Sequence, residues 1–86
     1  MPFRKLIERL LGQVVILRYH SSRTHIKQSN YIQKDVLLHT FSNSGTLEYI
    51  EQLNGLNEKR FIQSDNIERI TPLEPIEQLL WKIQYV

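Results

Sequence analysis

At 86 residues the chain has room for a single small domain, 1–86, and none for separate catalytic and regulatory lobes. A composition of 41% hydrophobic and 23% charged residues excludes a disordered chain. The absence of cysteine excludes disulfide frameworks, thiolate chemistry, iron–sulfur clusters and cysteine-based zinc sites, and a longest apolar run of four residues, Val14 to Leu17, excludes a helical membrane span, which needs ~20.

Phe3, Leu6, Ile7, Leu10 and Leu11 repeat at helical spacing, and Pro2 and Gly12 suit a start and a stop, so the pattern predicts a helix over 3–11. Its outer face carries Arg4, Lys5, Glu8 and Arg9, with Arg4 and Glu8 spaced to pair. The basic start is interrupted by Glu8, Arg9 and Gln13 and shows no small-residue cleavage site, which predicts a cytoplasmic protein.

Gln13 to His20 reads as a first strand, with Val15, Leu17 and Tyr19 on one face. After the polar break Ser21 to Thr24, a weak alternation runs from His25 to Gln33. Val36 to Phe41 forms another strand, and Ser42-Asn43-Ser44-Gly45 turns the chain into Thr46 to Leu53, where Leu47, Tyr49 and Glu51 share one side. Asn54-Gly55 is a strong hairpin signal and leads into Glu58 to Gln63, with Lys59 and Arg60 placed to pair across the turn with the acidic strand. Ser64 to Asn66 makes a short turn, Ile67 to Thr71 resumes an extended path, and from Pro75 the positions Ile76, Leu79, Leu80 and Ile83 predict a second helix over 75–84.

Helix, five or six short strands and helix make a mainly β chain with flanking helices, an α+β class. Tight turns leave no room for parallel crossovers, so the expected architecture is a five-stranded, strongly bent antiparallel small barrel closed on itself. This order resembles the Sm-like and SH3-like barrels in topology.

Charge is unevenly spread. Residues 1–34 hold seven Lys or Arg against one acid, and residues 35–86 hold four against eight, an imbalance suited to an anionic partner or to self-association. No metal site is expected: His20, His25 and His39 are not at ligand spacing on a helix or strand. No catalytic residues and no cofactor are expected either, because no serine sits in a nucleophile elbow and Gly12, Gly45 and Gly55 each stand alone in a turn. The acids Glu48, Glu51 and Glu58 read as solvated hairpin charges. Basic residues interleaved with rings, namely Arg18, Tyr19, Arg23, Lys27, Tyr31 and Lys34, can follow phosphates and stack bases, which makes 18–34 a candidate nucleic-acid contact.

Asn57, Glu58, Arg60, Asp65 and Ile67 fall at the spacing that closes the WYL domain, a small β-barrel of bacterial transcription regulators, and over about residues 5–71 the chain resembles that family. The resemblance implies a bacterial regulatory module sensing a ligand at the barrel mouth. Leu47-Glu48-Tyr49 stands in the region of the family's Trp-Tyr-Leu run, so Arg60 alone carries over as a contact. The expectation is a non-enzymatic binding module of bacterial or phage origin, working through protein or ligand contacts around Arg18, Tyr19, Arg60 and Asp65. Nucleic-acid binding and docking as an inhibitor or adaptor on a larger complex are the alternatives. In the last helix Leu80, Trp81 and Tyr85 are expected at an interface with a partner or a second copy.

Overall fold

The computed structural model describes residues 3–20 and 31–84. Helix α1 (Arg4–Leu10) is followed by strands β1 (Val14–His20), β2 (Tyr31–Phe41), β3 (Thr46–Leu53) and β4 (Leu56–Gln63). A 3-10 turn (Ser64–Asn66), strand β5 (Ile67–Pro72) and helix α2 (Pro75–Ile83) complete it. Both helices match the predicted spans to within a residue, with Phe3 and Leu11 capping α1 and Gly12 leaving it at φ +85°. The segments read as separate strands over 25–33 and 36–41 are continuous from Tyr31 onward, so that β2 is 11 residues long. His25 to Asn30 lie outside the described residues.

All pairings are antiparallel, in the order β4-β3-β2-β1-β5. The hairpin β3–β4 turns on Asn54 and Gly55, both at positive φ, as a two-residue turn matched to strand twist requires. Irregularities at Arg18/Tyr19 and Leu38/Thr40 bend the sheet. Its concave side holds the core: Val15, Leu17 and Tyr19 of β1, Val36 and Leu38 of β2, Leu47 and Tyr49 of β3, Ile62 of β4, and Ile67 and Ile70 of β5. Ile7 and Leu10 of α1 cover the end of this core where β1 begins, held by backbone bonds from Gly12 N to Leu38 O at 2.7 Å and from Leu38 N to Gln13 O at 3.0 Å.

The expected closed barrel is not formed. The sheet's two edges, β4 and β5, are joined by the 3-10 turn and share no ladder. Past Ile62, the core-side positions of β4 are Arg60 and Glu58, paired with Tyr49 and Glu51 of β3. A closing strand would have to bury both charges, which is unfavourable. The result is an open sheet, with α1 across one end and a gap at the other.

Helix α2 sits on the opposite side of the sheet. Gln78 ties it down: its Oε1 accepts from Val14 N at 3.2 Å, and its Nε2 donates to Leu73 O at 3.1 Å. Gln52 Nε2 donates to Trp81 O at 2.9 Å near the far end of the helix. No residue of α2 is fully buried. Among the described residues, no helix is long and apolar enough to cross a membrane.

Candidate binding cleft

At the end of the sheet away from α1, the seam between β4 and the start of β5 opens into a cleft of about 550 Å³. Tyr19 and His20 of β1, Tyr49 of β3, Arg60, Phe61 and Ile62 of β4, and Asn66 of the 3-10 turn line it, among others. Strand alternation places Tyr19 and Tyr49 inward, their ring centroids 6.3 Å apart. Burial, and then a hydrogen bond with Tyr19, push the Tyr49 phenol well above its ordinary value, so it stays neutral. Phe61, 66% exposed, stands on the rim.

Charge enters through Glu51, which is 5% exposed on the core side of β3. Lys34 Nζ of β2 lies 2.9 Å from its Oε2, and Arg60 Nε of β4 lies 2.9 Å from its Oε1. Burial disfavours the ionised carboxyl, but the two hydrogen bonds and the two positive charges outweigh it and hold the group below its ordinary 4.5. Lys34 and Arg60 are raised in turn by their bonds to Glu51. The pairing fixes Arg60 by Nε alone, and its Nη donors have no partner among the described residues.

A second cluster lies on the outer face. The bulge leaves Glu68 between two paired residues, with Tyr19 opposite Ile67 and Arg18 opposite Arg69, and so turns its carboxylate toward Arg18. Arg18 Nε is 3.5 Å from Glu68 Oε2, and the guanidinium covers the Tyr31 ring at 4.7 Å. The Tyr31 hydroxyl is bonded to Glu68 and titrates above its ordinary value for that reason first. His20 packs on the same ring at 4.5 Å.

The sequence-derived contact residues therefore fall into two groups. Tyr19 and Arg60 meet at the cleft, and Lys34 supports Arg60 through Glu51. Arg18 and Tyr31 belong to the outer cluster, and Asp65 is exposed in the 3-10 turn without lining the cleft. Arg23, Lys27 and Tyr85 lie outside the described residues. Leu80 is exposed on α2, whereas Trp81 is half-buried beside Gln52 and Leu53. His39 is exposed on β2 and pairs with Glu48. Of the acids read as solvated, Glu51 is instead buried. Sequence reasoning did not single out Tyr49, Phe61 and Asn66 as site residues. The alternation Leu47, Tyr49, Glu51 carried the signal for Tyr49, but nothing local marks Phe61 or Asn66, which reach the cleft only because the seam stays open.

Rings, amides and one anchored guanidinium offer recognition of a ligand. No family model matches the chain, and the comparisons with curated proteins and with solved structures give no match.

Proposed function

We propose that the protein is a non-enzymatic regulatory binding module whose cleft takes an extended acidic segment of a partner protein. The observation that carries this reading is the outer edge of β4, which is unpaired among the described residues and runs along the cleft beside Arg60. A free edge offers backbone donors and acceptors to an added strand, and alternate side chains of that strand then meet pockets. Arg60, held at Nε by Glu51, keeps its paired donors for a carboxylate, the geometry in which arginine binds most selectively. Tyr49 and Phe61 supply apolar surface. The lack of cysteine suits a cytoplasmic setting, and the WYL-like spacing of Asn57 to Ile67 supports a regulatory role.

Selection of displayed random nine-residue peptides tests it. Enrichment of alternating apolar and acidic residues on the wild type, lost with Arg60→Gln, is expected; no enrichment overturns the proposal.

A second reading, contact with single-stranded nucleic acid, is favoured by the Arg18–Tyr31–His20 stack, which borders the segment holding Arg23 and Lys27. Phosphate contacts are strongest at low salt, so a labelled oligonucleotide that shows no anisotropy change at ~50 mM salt removes this reading.

A further inference from the structure

The apolar side of α2 faces outward. Ile76, Leu79, Leu80 and Ile83 are 62, 53, 54 and 57% exposed, while Gln78 and Trp81, on the opposite side of the helix, make the bonds to the sheet. Four large aliphatic side chains on one stripe would ordinarily be the buried side of an amphipathic helix. Here the docking is polar: the Val14 N–H and the Leu73 carbonyl both find their partner in Gln78, so turning the stripe inward would leave these groups unsatisfied.

The stripe is also a palindrome. Read from either end it runs Ile, two residues, Leu, Leu, two residues, Ile, with its centre between Leu79 and Leu80. A two-fold axis through that centre sets Ile76 of one copy against Ile83 of the other and Leu79 against Leu80, so every apolar side chain meets its like. Such a surface is self-complementary, as an isologous interface must be. A foreign groove would impose no such symmetry. The charged residues of the helix, Glu77 and Lys82, lie toward the sheet side at helical spacing and bring no like charges into the seam.

We infer that the occupant of this face is a second copy of the chain, paired through antiparallel α2 helices about a two-fold axis between Leu79 and Leu80. Four half-exposed side chains per copy fall short of the roughly 800 Å² per partner of a standard stable interface. The pairing is therefore reversible, with half-association between about 1 µM and 1 mM. It is separate from the cleft, none of whose lining residues lies on α2.

Sedimentation velocity across that range tests the association. Wild type is expected to shift from monomer to dimer, and Leu79→Glu with Leu80→Glu to stay monomeric with an unchanged circular dichroism spectrum, because the replaced side chains touch solvent in the folded monomer. Direction is read by disulfide trapping, since the chain has no cysteine of its own. Ile76→Cys mixed with Ile83→Cys should form a mixed disulfide on oxidation. Ile76→Cys alone should not, because antiparallel pairing separates the two copies of residue 76 by about 10 Å along the axis, beyond disulfide reach. Four results overturn the inference: a wild type that stays monomeric at 1 mM, a dimer that survives the double glutamate variant, efficient trapping of Ile76→Cys with itself, or a monomer that instead co-sediments with phosphatidylcholine vesicles.

Discussion

Lys34 and Arg60 stand on strands that flank β3, and both ammonium and guanidinium reach the buried carboxylate of Glu51, each at 2.9 Å. Either cation alone can compensate the charge, so the two are partly redundant. Lys34→Met is expected to cost about 1 kcal/mol, discounted because the side chain is partly exposed, and Arg60→Met, at the more exposed cation, is expected to lower stability by a small amount. The double variant leaves Glu51 buried without a partner and should cost more than the two single losses together. Urea unfolding of the four members of the cycle measures this.

The same carboxylate sets an acid sensitivity. Its folded pKa lies below 4.5, so its ionised form favours the folded state; that contribution is present above the unfolded value and disappears as pH falls through the folded one. Melting temperature should fall on acidification from pH 5 toward pH 3, and Glu51→Gln should flatten that part of the curve. An unchanged slope in Glu51→Gln would refute the assignment.

Gln78 anchors α2 through the Val14 N–H and the Leu73 carbonyl. Gln78→Leu should cost about 1–3 kcal/mol by leaving both unsatisfied. The chain's single tryptophan, Trp81, lies in the same helix beside Gln52 and Leu53, so its emission should move to longer wavelength as α2 detaches.

At Gly55, φ is +80° and an added Cβ meets nothing within 4 Å. Gly55→Ala should therefore lose about 1–2 kcal/mol through backbone conformation alone. The loss should be the same in low and high salt.

Where periodicity met a single dominant constraint, the sequence was informative. The α1 stripe, the inward alternation of Val15, Leu17 and Tyr19, and the Asn54-Gly55 turn all describe the chain as it folds. Between Gln33 and Val36 the pattern suggested a break, because Gln33, Lys34 and Asp35 have no apolar member. Tertiary context overrides it: the inward Lys34 reaches Glu51, and its neighbours face solvent. The helical pattern located α2 but not its orientation, which is set by the hydrogen bonds of Gln78 against apolar burial. At the cleft, Arg60 and Tyr19 could be found from residue type and spacing, whereas Phe61 and Asn66 depend on an edge left unpaired, a property of the whole sheet that no local window contains.

Strand β5 pairs with β1, from Ile67 opposite Tyr19 to Pro72 opposite Val15, while each of the other ladders joins strands adjacent in sequence. The three hairpin-like ladders can assemble locally as the chain is synthesised. The strand that opens the sheet, by contrast, keeps one side bare until Pro72 has left the ribosome, because closing a loop of some fifty residues must precede any reward from that pairing. Throughout that interval Leu17 and Tyr19 have no Ile70 or Ile67 against them. The nascent chain is then most exposed to mispairing at β1, and folding of the completed chain should be limited by the arrival of β5 rather than by any turn.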